Sequence, residues 1–132
     1  MVSIRAAKAK GSSFEYDCQH SLKAKHPEVY RTAERGFQMQ YDLHVEDSLT
    51  TDTYVFECKR LKGISWNQLV KFYEKLEKVT PDADDRFLLF QSNRQPCLVF
   101  TRLDGYKFII MKFEYVFGVP FEKHPSTRVT KK

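Results

Sequence analysis

Apolar residues recur along this chain at two spacings. From Gly11-Ser12 onward, Phe14, Cys18 and Leu22 stand four apart, which predicts one face of a helix. His26-Pro27 ends that helix, because the residue before a proline is pushed out of helical geometry. Val29 to Thr32 predicts a short strand, and the polar stretch Ala33 to Gln40, with Arg35-Gly36 inside it, a connecting loop. From Tyr41 the period drops to two, with Asp42, His44 and Glu46 on one face and Leu43 and Val45 on the other. Asp47 to Asp52 supplies a turn into the strand Tyr54 to Lys59, so the pair is predicted as a hairpin. Ser65-Trp66-Asn67-Gln68 has the form of a capping box and opens a helix with Trp66, Leu69, Val70, Tyr73, Leu76 and Val79 at helical spacing, ending before Pro81. Arg86 to Gln91, Cys97 to Arg102 and Tyr106 to Lys112 read as strands. The last two flank Asp104-Gly105, a hairpin signal because both positions tolerate positive φ.

At 132 residues, with 42% hydrophobic and 30% charged side chains, the chain fits one ordinary globular domain. The expected layout is a basic arm over 1–10, a single domain over 11–119 and a flexible tail over 120–132, where Pro120, Pro125 and Lys131-Lys132 fall. The longest apolar run is too short to span a bilayer. Met1 to Lys10 has no apolar stretch behind it, so no secretory signal is read there and a cytoplasmic location is expected. Cys18, Cys58 and Cys97 are widely spaced and odd in number, which argues against a disulfide framework or a thiolate zinc site and for buried thiols. The formal charge of +5 is mildly favourable to a polyanionic partner.

The candidate chemistry lies on the hairpin. Glu57 and Lys59 are two apart, so their side chains leave one face of the strand about 7 Å apart while Cys58 points the other way. A turn at Asp47 to Asp52 folds Asp42 back beside Glu57, bringing two carboxylates together. Hydrolysis of a phosphodiester needs an activated water and compensation of phosphate charge, and a hard divalent ion held by oxygen ligands can supply both. In this reading Asp42 and Glu57, with the backbone carbonyl of Cys58, hold one or two Mg²⁺, for which Mn²⁺ can substitute. Lys59 orients the attacking water and offsets phosphate charge, and Glu15 adds a carboxylate through a metal-bound water.

Structural alternatives stand beside these roles. Glu57 and Lys59 could form a surface ion pair, against which Tyr54-Val55-Phe56 argues by placing them at the end of a buried strand. Glu15 has an equal claim as the partner of Ser12 in a capping box. His44 is read as a polar strand-face residue. Gln68 is the polar residue of its helix that could aim at the site.

Gly11-Ser12-Ser13-Phe14-Glu15, Asp42-Leu43, Val55-Phe56-Glu57-Cys58-Lys59 and Trp66-Asn67-Gln68-Leu69 together resemble the successive motifs of the PD-(D/E)xK nuclease superfamily, with Tyr41 in the proline position. Within it the chain is most similar to archaeal-type Holliday-junction resolvases, over roughly residues 8 to 100. The resemblance implies an α/β, restriction-endonuclease-like fold with a mixed central β-sheet flanked by α-helices. It implies Glu15, Asp42, Glu57 and Lys59 as the catalytic set, Gln68 as an accessory residue, Mg²⁺ as the metal and a homodimer as the assembly. The expected activity is endonucleolytic cleavage of branched DNA, four-way junctions above all. The alternatives are a general or end-processing DNA nuclease and a non-catalytic nucleic-acid-binding domain. Arg5, Lys8, Lys10, Arg31, Arg35, Arg60 and Lys62 are candidate phosphate contacts, giving affinity without base specificity.

Overall fold

The computed structural model describes residues 4–35 and 40–125, and the side chains among these from Ser13 onward. Helix α1 spans Ile4–Lys23. It therefore starts before the Gly11-Ser12 boundary that periodicity marks, and residues 4–10 form its first turns. Ile4-Arg5-Ala6-Ala7-Lys8-Ala9-Lys10 is made almost wholly of strong helix formers, so propensity extends the helix where no apolar stripe does. Further along, Phe14, Cys18 and Leu22 are fully buried, as their spacing predicts.

Six strands follow: β1 (Tyr30–Arg31), β2 (Leu43–Glu46), β3 (Thr53–Arg60), β4 (Asp85–Gln91), β5 (Leu98–Leu103) and β6 (Lys107–Lys112). They form one sheet in chain order, with β3 and β4 parallel and every other neighbour antiparallel. The parallel pair needs a crossover, and α2 (Trp66–Val79) is part of it. Its start is the predicted capping box: Gln68 N–H donates to Ser65 Oγ, and Ser65 N–H donates to Gln68 Oε1. The result is an α/β fold with a mixed sheet flanked by helices, as expected. Among the described residues no helix is long and apolar enough to cross a membrane.

Strand alternation assigns each face of the sheet its own helix. Phe56 and Cys58 join Leu43, Val45, Leu89 and Val99 against Phe14, Cys18 and Leu22 of α1. On the opposite face Leu88, Phe90 and Phe100 pack with Leu69 and Tyr73 of α2, and Val55 with Leu76. Val55, Glu57 and Lys59 therefore face α2, and both faces of β3 are covered. His44, two residues along from Asp42, is buried as well, with its Nδ1 2.7 Å from Tyr41 Oη.

The C-terminal apolar stretch closes this molecule's own core. Helix α3 (Phe113–Phe117) buries Phe113 and Phe117 and ends on Gly118, whose φ of 71° is the left-handed cap conformation. Residues 120–125, the described part of the expected loose tail, run back along α1, and 126–132 lie outside the described residues. Ser21 Oγ accepts from Glu122 N–H and donates to its carbonyl, His124 N–H donates to Asp17 Oδ1, and Phe121 packs against Phe14 and Phe113. Ile110 on the edge strand and Tyr115 stay exposed. Replacing Phe113 by Ala should therefore lower unfolding free energy by about 3–5 kcal/mol, with Tyr115→Ala changing it by no more than about 0.5. Urea denaturation of the two variants measures this, and equal stabilities would contradict the packing.

Candidate active site

The site forms where β2 stops and β3 continues. Asp42 lies just before β2: its N–H donates to the Phe56 carbonyl (3.0 Å), and its Oδ2 accepts the Cys58 N–H at 2.8 Å. These two bonds hold Asp42 alongside Glu57. They also show that the main-chain groups of Phe56 and Cys58 face β2, so the Cys58 carbonyl is turned to the same open edge as the Asp42 carboxylate. Glu57 follows Phe56 into the middle of the sheet, pairing in register with Leu88 of β4, and is only 8% exposed. Glu15 comes from α1, one residue past the buried Phe14, and its side chain interacts with that of Asp42. Three carboxylates from three separate elements thus meet, with Asp42 between the other two.

The crowding is visible in the protonation of Asp42 and Glu15. Asp42 is pushed up to about 7, first by burial and then by Glu57, with the Cys58 N–H pulling the other way. Glu15 is likewise raised to about 7 by burial and by Asp42, against the opposing effect of Arg31. Arg31 is the local counter-charge. Its Nη2 lies 3.1 Å and its Nε 3.3 Å from Glu15 Oε2, its guanidinium stacks 4.1 Å above the Tyr16 ring, and Glu34 is 3.8 Å away. Hard oxygen donors in negative excess where the β2–β3 ladder stops are the donor set that a Mg²⁺-type ion takes, so the residues present fit such an ion.

Lys59 extends on the α2 side, its Nζ 4.8 Å from the centre of the Phe72 ring, and among the described residues no carboxylate lies within 4 Å of it. It is not consumed in a surface ion pair with Glu57. Gln68 is exposed and has its Oε1 engaged in the α2 cap. The capping role weighed for Glu15 falls, because Ser12 lies inside α1 and cannot be its N-cap.

Among the candidate phosphate contacts, Arg31 is tied to Glu15, Arg35 sits 4.1 Å over the Tyr30 ring, Arg60 donates to Asn93, and Lys62 is exposed. The side chains of Arg5, Lys8 and Lys10 lie outside the described ones. Sequence reasoning missed Arg31 as the partner of Glu15. The available signal was its place on the strand that pairs with β2, opposite Leu43, one residue from Asp42.

No protein-family model matches the chain, and no curated protein matches it in sequence. Solved structures do. One is Hjc of Archaeoglobus fulgidus, a Holliday junction resolvase from an archaeal hyperthermophile, to which the chain is similar with a TM-score of 0.51 and 17% identity. The similarity covers 86% of this chain and 99% of that one. It is a likeness of fold.

The raised pKa values carry a sign that can be checked without metal. A carboxyl whose folded value is about 7, against an ordinary 3.8, contributes stability that is present below 3.8 and lost as pH rises through 7. In EDTA, Asp42→Asn should therefore be more stable than the wild type at pH 8, by about 1–3 kcal/mol, because the amide cannot ionise yet can still accept the Cys58 N–H. The gap should close as pH falls toward 4. Urea melts at several pH values decide it, and a variant less stable at pH 8 would show that the carboxylates are not in conflict.

Proposed function

We propose that this chain is a metal-dependent endodeoxyribonuclease that hydrolyses phosphodiester bonds, with four-way DNA junctions as its substrate. The observation that carries this reading is the convergence of Glu15, Asp42 and Glu57 beside a Lys59 that meets no carboxylate among the described residues, on a fold shared with a Holliday junction resolvase. Asp42 and Glu57, with the Cys58 carbonyl, would hold one or two Mg²⁺, and Mn²⁺ can substitute. When bound, such an ion supplies an activated water and offsets charge on the phosphate.

The protein's own residues do the rest. Asp42 is oriented by the Cys58 N–H, so one of its oxygens is fixed while the other stays available. Glu57 is held in the sheet, where its neighbours on β4 restrict its movement. Lys59 brings a positive charge to the face that carries Glu57, placed to orient water and to compensate the phosphate. Glu15 accepts from Arg31, which keeps its carboxylate in place beside Asp42. Gln68 keeps Nε2 as the donor it can turn toward a ligand. Arg5, Lys8, Lys10, Arg35, Arg60 and Lys62 supply phosphate contacts around the site, to which Arg31 contributes less because Glu15 holds it.

DNA cleavage should require Mg²⁺ or Mn²⁺ and stop in EDTA, with Ca²⁺ supporting binding but little turnover. Asp42→Asn, Glu57→Gln and Lys59→Ala should each reduce the rate roughly 100-fold or more, and Glu15→Gln should reduce turnover without lowering the melting temperature above neutral pH. A fully active Glu57→Gln protein, or cleavage undiminished in EDTA, would remove this mechanism.

Junction resolution adds a requirement of symmetry. One domain offers one site, whereas resolving a four-way junction needs nicks in two strands related by a two-fold axis, which a C2 homodimer supplies. The edge strand β6, with Ile110, and the neighbouring Tyr115 offer exposed apolar surface for such an assembly. On a supercoiled plasmid carrying an extruded cruciform, a dimer should give linear product directly. Open circles accumulating first, or a monomeric mass by light scattering, would defeat the resolvase reading and leave the nuclease one standing.

A further inference from the structure

Away from the carboxylate site, the far end of the same hairpin gathers a second set of ligand-type side chains. His26 lies in the loop after α1, Glu28 two residues on, and Asp47 follows β2, so the loop and the hairpin turn are brought together there. His26 is 8% exposed and packs against the Tyr54 ring. Its Nδ1 stands 3.4 Å from Glu28 Oε1 and 3.8 Å from Asp47 Oδ2. Among the described residues no hydrogen bond reaches that nitrogen, and both separations exceed ordinary N–H···O lengths.

The same separations suit a different occupant. Ligands about 2.1 Å from a tetrahedral centre lie about 3.4 Å from one another, the spacing a zinc-type ion imposes on nitrogen and oxygen donors. An octahedral Mg²⁺ would draw adjacent oxygens to about 3.0 Å. Asp47 is also prepared for the task. Its Oδ1 accepts the N–H groups of Leu49 and Thr50, at 2.8 and 3.1 Å, which fixes the carboxylate and leaves Oδ2 directed at His26. A neutral imidazole with two carboxylates carries two negative charges, which a divalent ion neutralises.

We propose that His26, Glu28 and Asp47 form a second cation site, separate from the carboxylate cluster, which takes a zinc-type divalent ion in tetrahedral coordination. The fourth position faces a cleft of about 300 Å³ lined by Lys25, Tyr54, Asp85 and Phe87 as well as His26 and Asp47, so water completes the shell. The ion ties the loop after α1 to the β2–β3 turn. Its role is structural, because Asp42 and Asp47 flank opposite ends of β2 and the two sites do not share a ligand.

Zinc uptake by the full chain, followed by competition with a chromophoric chelator, tests this. The wild type and Glu57→Gln should each bind zinc at this site, and the ion should raise the melting temperature of both. Asp47→Asn and His26→Gln should each weaken uptake roughly tenfold or more. Asp47→Asn keeps an oxygen for the Leu49 and Thr50 N–H groups, so its far-ultraviolet circular dichroism should match the wild type and separate lost binding from lost folding. Zinc uptake lost in Glu57→Gln but intact in Asp47→Asn, or no uptake by the wild type, overturns the proposal.

Discussion

A single hydrogen bond organises the carboxylate cluster of this molecule: Cys58 N–H to the Asp42 carboxylate. It occurs where the β2–β3 ladder stops at the Leu43–Phe56 pair while β3 runs on to Arg60, so that a main-chain donor which would otherwise need a strand partner takes a side chain instead. The donor is satisfied, and the carboxylate is fixed against the one position where it meets Glu57 and Glu15. That meeting is unfavourable on its own terms, since like charges in a partly dry setting repel and burial adds to the cost. The fold tolerates it because the bond to Cys58, the pair with Arg31 and bound protons divide the charge among them.

The rest of the sheet makes the conflict unavoidable. Glu57 is central because β3 is flanked by β2 and β4, and the parallel β3–β4 pairing places α2 over the face it shares with Val55 and Lys59. Phe56 and Cys58, on the other face, are committed to α1. A shift of one residue in register would exchange the two sets, putting Phe56 at the charged site and Glu57 beneath α1, so the apolar pattern of the strand fixes where the charges emerge. The helix that carries Glu15 is held by Phe14, Cys18 and Leu22 on that apolar side. Core packing therefore sets the geometry of the polar site from both faces.

Much of this was legible in the residues themselves. The hairpin, the Ser65 cap, the strands β4 to β6 and the pairing of Asp42 with Glu57 follow from local period and turn chemistry, which depend on neighbours in sequence. Glu15 could not be assigned that way. Ser12-Ser13-Phe14-Glu15 has the form of a cap, and only the run of helix formers before it, which carries no apolar stripe, shows that the helix is already under way. His44 resisted for the opposite reason: alternation put it on a polar face, but Tyr41, three residues away, and the end of α2, far along the chain, line that face beside it. The segment after Pro120 looked loose because Ser21 and Asp17, its hydrogen-bond partners, lie about a hundred residues earlier. A resemblance in motif order conveyed the mixed sheet better than periodicity could, since parallel and antiparallel strands have the same period of two.

Charge counting shows how far the site stands from rest. Glu15, Asp42 and Glu57 carry three negative charges when ionised, and Arg31, bonded to Glu15, returns one. Two remain. Lys59 does not cancel them, because its ammonium rests over Phe72 with no carboxylate within reach among the described residues. The residual charge equals that of one divalent ion, and the upward shifts of Asp42 and Glu15 measure how strongly protons occupy the same role. Arg31 reaches the cluster from one side only, stacked on Tyr16 and shared with Glu34, so it cannot move across to Asp42 without giving up those contacts. A surface that had merely accumulated acids would relax by turning side chains outward. Here Asp42 is held by a backbone bond and Glu57 by the sheet, which leaves neutralisation by a proton or a cation as the only route to relief, and above neutral pH the proton is no longer available.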